Sequence, residues 1–244
     1  MGRMPWLRSR RNLVLACLVA GLIVLVGGLA GVYAVFFTGG APSKLGLSAA
    51  PSSSASEAAS ASSTVRPGTW KVVSGSQAGY RVREQLAFVG APSDAVGRTD
   101  AVSGSMTLVQ AGDAYQVTAG SLTVDVSQLA SDRSMRDQRI HRIGLESDRY
   151  PTATFRLTSP ITLPSSAGTG QAFTVQATGD LTIHGTTKRV TIPLQARLNG
   201  SRIEVAGSIT FPFEEFGMTP PSIPGFVSVQ NNATMEFDLF VEKS

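Results

Sequence analysis

One cysteine, two histidines and a charged fraction of only 16% narrow what this 244-residue chain can do. The cysteine, Cys17, lies inside an apolar run, so the chain beyond that run has neither a disulfide nor a thiol nucleophile. A zinc site needs three or four ligands and finds no cysteine pair and no third histidine. Strong charge of one sign is missing too. The formal charge is +4, yet from Thr69 to Ser244 fifteen Lys or Arg face sixteen Asp or Glu, a net of −1. The basic footprint that nucleic-acid binding requires is therefore absent from the folded region.

What is present divides the chain in two. No charge occurs between Asn12 and Ser43, and Leu13 to Phe37 is continuously apolar. As a helix this run spans about 37 Å, enough for a hydrocarbon core of about 30 Å. Arg3, Arg8, Arg10 and Arg11 precede it, which predicts a single-pass membrane anchor over 13–37 with residues 1–12 cytoplasmic and the rest extracytoplasmic. A cleaved signal peptide would need a better small-x-small site than Val32-Tyr33-Ala34. A lipoprotein signal at Val14-Leu15-Ala16-Cys17 has too little apolar sequence before the cysteine. Residues 38–68 are Ser, Ala, Pro and Gly with almost no large apolar side chain, a composition that predicts a disordered tether reaching roughly 30 Å.

From residue 69 onward the pattern has period two. Phe173, Val175, Ala177, Gly179, Leu181 and Ile183 share one face, with Thr, Gln, Asp and His between them. Val190 to Leu198, Ile203 to Phe213 and Ala233 to Val241 repeat it. Earlier candidates are Thr69–Val73, Tyr80–Leu86, Ala101–Val109, Tyr115–Val126 and Thr152–Leu163. Asn199-Gly200 is a hairpin signal. About eight antiparallel strands, each with one apolar face, predict a closed all-β barrel, with a two-sheet sandwich as the alternative. Ser131 to Tyr150 interrupts the strands and permits a short amphipathic helix capped by Ser131 or Asp132.

Candidate chemistry is sparse. His184 sits at a turn on the polar face and His141 in an Arg-rich segment, and both read as solvated. Glu214-Glu215 are adjacent on a strand pattern and point apart, unlike a glycosidase pair. Arg133, Arg136, Arg139 and Arg142 recur every three residues, but Asp132, Asp137, Glu146 and Asp148 offset them, so local ion pairs are expected.

Several segments taken in order resemble the YceI-like family of exported lipid-binding domains. They are Thr69-Trp70-Lys71-Val72; Met135-Arg136-Asp137; Leu145 to Phe155 with its Tyr150-Pro151 element; Gly179-Asp180-Leu181-Thr182-Ile183-His184-Gly185-Thr186-Thr187-Lys188; and Phe216-Gly217-Met218. The resemblance covers residues 69–243. One departure is Tyr80-Arg81-Val82-Arg83-Glu84, which carries no histidine where the family's first hairpin usually does.

The resemblance implies a lipocalin-like extended barrel that is not an enzyme and needs no cofactor. Its ligand would be a polyisoprenoid or similar amphiphile, such as an isoprenoid lipid or quinone. Expected lumen residues are Phe155, Phe173, Val175, Ile183, Ile192, Leu194, Val205, Ile209, Phe211, Phe213 and Phe237. Phe216, Met218, Ile223 and Phe226 would form the mouth, and Arg136 and Arg139 would meet the head group. The expected partners are this lipid and the membrane, with no nucleic acid and with a homodimer left open. A packed, ligand-free barrel acting as a protein-interaction module remains the alternative, and an enzyme working on a bound lipid would have to rest on His141 or His184.

Overall fold

The structure, a computed structural model, describes residues 41–48, 66–87 and 92–244. The apolar run at 13–37 lies outside these, and among the described residues no helix is long and apolar enough to cross a membrane.

The strands are β1 Gly68–Val72, β2 Gln77–Leu86, β3 Ser93–Thr99, β4 Val102–Ala111, β5 Ala114–Asp125, β6 Ala130–Ser131, β7 Thr152–Leu157, β8 Ile161–Thr162, β9 Phe173–Ile183, β10 Thr186–Asn199, β11 Arg202–Phe211 and β12 Val227–Lys243. Eight of them form a ring in the order β1-β4-β5-β7-β9-β10-β11-β12, and β12 returns to β1. Every pairing is antiparallel. The fold is therefore a closed barrel rather than a sandwich, and the period-two pattern supplies the reason, since closure buries one face of every strand without leaving an edge.

Two breaks make the cylinder longer than a plain ring. β12 serves both β1, through Val241–Lys243, and β2, through Val227–Asp238. Ser76 bridges the gap between those partners. Its hydroxyl accepts the Phe240 amide at 2.9 Å and donates to the Val73 carbonyl at 2.8 Å, replacing the missing ladder bonds. β3 and β4 are separated in the same way at Asp100-Ala101, where Thr99 Oγ1 accepts the Ala101 amide at 3.0 Å. Past that break β3 pairs β6 rather than β5.

β3 escapes the alternation test because Ala95 and Val96 are its only sizeable apolar residues. Its inward position Gly97 lies beneath the Tyr80 ring, and a Cβ there would come within 2.3 Å of Tyr80 Cε1. The long strand expected over Thr152–Leu163 is split into β7 and β8 around Pro160, which cannot donate to a ladder. Helix α1, Ser134–Arg139, continues into a π-helical turn over Ile140–Gly144. Neither Ser131 nor Asp132 caps it. The N-cap residue is Arg133, without a side-chain bond, and Ser131 is held in β6 by its own amide donating to Asp137 Oδ1 at 2.9 Å.

Two apolar clusters occupy the inner wall. One gathers Tyr80, Leu129, Ile140, Phe211, Phe213 and Phe216 beneath α1, and the other gathers Trp70, Leu108, Val117, Ile161, Leu198 and Ile203 toward the β10–β11 hairpin. Phe155 packs against both. Pro42–Ser48, from the stretch whose composition suggests a free tether, lies on the outer wall.

Candidate functional site

Alternation puts Val175 and Ala177 of β9, Ile192 and Leu194 of β10, Val205 and Ile209 of β11, and Phe237 of β12 on the inner wall. There they enclose a cavity of about 190 Å³. That exceeds the 150 Å³ or so at which an apolar hole stays dry and takes up a small aromatic molecule, and falls short of the roughly 300 Å³ at which drug-sized pockets begin. Ser105, Ser121 and Thr154 are the few uncharged polar residues along it. Glu236 also reaches the lining, but its carboxylate is taken on the outer side by Arg81 at 3.4 Å and Arg98 at 3.3 Å.

Glycine sets the shape of this space. A Cβ on Gly179 would meet Phe155 Cζ at 2.4 Å, and one on Gly207 would meet Phe237 Cζ at 2.7 Å and a Leu194 methyl at 2.8 Å. Each ring therefore lies against bare backbone instead of standing across the lumen.

Eight of the expected lumen residues line the cavity: Phe155, Phe173, Val175, Ile192, Leu194, Val205, Ile209 and Phe237. Ile183, Phe211 and Phe213 do not; they are buried in the packed cluster beneath α1, where Phe211 meets Phe216 edge-on at 4.7 Å. The four expected mouth residues stand apart from the cavity as well. Phe216 is 0% and Met218 7% exposed within the same packed cluster, Ile223 is half-buried, and Phe226 projects into solvent at 60%. Hydropathy marked this region as aromatic but could not show that its turns fold inward as a plug. Met106, Leu108, Val117, Leu122 and Leu157 line the cavity without having been singled out, although the alternation in β4 and β5 carried the signal.

The two arginines proposed for a head group are engaged elsewhere. Arg136 pairs with Glu84 at 2.6 Å and with Asp132, and Arg139 donates to the Ser222 carbonyl at 3.0 Å. Glu84 shares the inward parity of Tyr80 and Val82, so Arg136 neutralises a carboxylate that would otherwise be buried alone. The Tyr80 hydroxyl nearby is buried, and burial pushes its pKa up.

Neither histidine is solvated as expected. His141 Nε2 lies 3.0 Å from the Leu129 carbonyl and Nδ1 2.8 Å from Ser147 Oγ. A carbonyl only accepts, so Nε2 carries the proton and Nδ1 can receive the Ser147 hydroxyl: the ring pins the chain after α1. Ser147 is 2% exposed and does not border the cavity. His184 adopts a φ of 50° in the β9–β10 turn and lies tilted against the Tyr150 ring, with centroids 4.5 Å apart. Its Nε2 stands 3.3 Å from Glu146 Oε1 but is not aligned for a hydrogen bond. Among the described residues no group of three or more His, Cys, Asp or Glu could hold a metal ion.

A closed antiparallel barrel with an apolar internal cavity belongs to the class of small barrels that can hold a single ligand. The sequence profile of the YceI-like domain matches residues 70–241, and the chain belongs to the YceI-like family. A UPF0312 protein of Vibrio cholerae is 28% identical over 127 residues, which cover 48% of this chain and 64% of that relative's length. A polyisoprenoid-binding domain from Saccharophagus degradans, described as implicated in plant cell wall breakdown, superposes with a TM-score of 0.53 at 16% identity, over 73% of this chain and 100% of that one. At that identity the likeness establishes the shared fold.

Proposed function

We propose that the barrel binds the apolar tail of a polyisoprenoid or similar amphiphilic lipid, for carriage, storage or sequestration on the extracytoplasmic side of a membrane to which residues 13–37 anchor it. The observation that carries this reading is the cavity of about 190 Å³ walled by apolar side chains. Binding comes from withdrawing the tail from water. At about 0.8 kcal/mol per buried carbon, each five-carbon unit contributes about 4 kcal/mol before the cost of ordering it. The half-buried side chains Leu163 and Phe173 lie on the side of the cavity away from α1 and form the mouth in this reading. The site needs no residue for bond chemistry. The fold family and the ligand class in the description of the Saccharophagus degradans domain support the choice of an isoprenoid.

Native mass spectrometry of the purified protein, followed by solvent extraction, tests it. The expected result is one co-purifying isoprenoid per chain. Protein that stays empty across preparations and takes up no added isoprenoid would overturn the reading.

A further inference from the structure

The outer wall of a barrel that is greasy inside should be polar and wet. Here a strip crossing β3, β2, β12, β11 and β10 departs from that rule. Glu204 is 0% exposed, Glu236 2%, Arg197 7% and Arg81 8%. Carboxylates and guanidinium groups hidden from water cost several kcal/mol each unless paired, so a cover and partners are required. The partners within the strip are Arg197 Nη2 to Glu204 Oε2 at 2.6 Å, and Arg81 and Arg98 to Glu236 at 3.4 and 3.3 Å. The cover is the chain's own Pro42–Ser48. Arg81 donates to the Pro42 carbonyl at 2.8 Å, Arg98 to that of Ser43, and Arg197 to that of Ser48 at 3.0 Å, while the Ser48 amide donates to Glu204 Oε1 at 2.5 Å. These four bonds engage main-chain atoms, so the strip recognises extended backbone. Leu45 and Leu47 are half-buried, whereas their neighbours are exposed.

We propose that this strip is a peptide-binding groove whose occupant, in the same molecule, is the Pro42–Ser48 segment, and that this segment acts as a strap holding the linker to the barrel wall. Burial pushes the Glu204 pKa up, but the bonds from Ser48 and Arg197 prevail and hold it below the usual carboxylate range, as expected of an anion whose receptor role depends on charge. Among the described residues, Arg98 Nε, Arg197 Nε and Asp238 Oδ1 on this strip have no hydrogen-bond partner. In sequence, residues 38–41 lie between the apolar run and the first docked residue. The proposal does not depend on what the cavity holds.

Hydrogen–deuterium exchange on the full chain in detergent tests it. The peptide carrying Ser48 should exchange about tenfold or more slowly than the rate for unstructured chain of the same sequence. Ser48→Pro removes the amide donor from a position outside every strand and should bring the remaining amides of the Pro42–Ser48 segment to the unstructured rate while leaving β10, β11 and β12 protected. Glu204→Ala, which removes the acceptor, should do the same from the barrel side, and the strap variant remains informative if Glu204→Ala folds poorly. Wild-type exchange at the unstructured rate would overturn the proposal. Protection that disappears on dilution together with a dimer would place the strap in a second copy's groove and overturn the assignment to the same molecule.

Discussion

Individual side chains sort into those that make the fold and those that bound the hollow. Phe211 and Phe173 look alike in sequence, but the first is 3% exposed in the cluster under α1 and the second lies half-buried at the cavity. Phe211→Ala should cost about 3–5 kcal/mol in chemical denaturation and leave the amount of bound lipid per folded chain unchanged. Phe173→Ala should lower lipid retention with a stability loss below about 1.5 kcal/mol, and equal effects of the two substitutions on lipid would contradict the placement. Asp238 makes a second prediction. Burial, and the nearby Glu204, push its carboxyl up from 3.8 to about 6, with Arg197 opposing. Because the folded value lies above the unfolded one, the native state holds this proton longer. Stability contributed by the group is therefore full below about pH 4, falls as pH rises, and is lost above about pH 6. Asp238→Asn should raise Tm by a few degrees at pH 8 and leave it unchanged near pH 3.5, a difference that calorimetry at the two pH values checks.

Elements depend on local substitutions for ladder bonds. Ser76 is 2% exposed and takes over hydrogen bonding where β12 changes partner. Ser76→Ala should cost about 1–3 kcal/mol and speed amide exchange at Phe240, and an unperturbed Phe240 amide would show the bridge to be dispensable. The long strands were legible because a half-buried wall writes its alternation into the sequence, as β9 and β11 do. β3 was not, since its inner face uses Gly97 and Thr99 to make room for Tyr80, and nothing in hydropathy distinguishes such a strand from a loop. The candidate site divides along the same line. Alternation identifies which residues face inward, hence Val175, Leu194 and Val205, but it carries no information on depth along the axis. Phe211 and Phe213 have the same parity and belong to the filled end. The burial of Arg197 and Glu204 on the outer face breaks the pattern for a reason lying some 150 residues away in sequence, at Ser48.

At the scale of the whole molecule the barrel has one packed end and one hollow end, so ligand and stability should be linked through the hollow end. Chain carrying its lipid at about 100 times Kd gains about 2.7 kcal/mol. Extraction of the lipid should then lower Tm by roughly 5 to 10 °C, reversibly on adding it back. A melting temperature indifferent to extraction would mean that the hollow is not occupied by what was removed.

β12 joins β11 on one side and β1 and β2 on the other, so the first and last described strands meet at a single seam. Residues about 170 positions apart, Trp70 and Lys243, must find each other before any enclosed space exists. A polypeptide synthesised from its amino end would wait as an unrolled sheet, greasy face open, until residues 227–243 arrive. That interval is when a lipid could be laid in without threading, and it is also when such a chain most needs a chaperone.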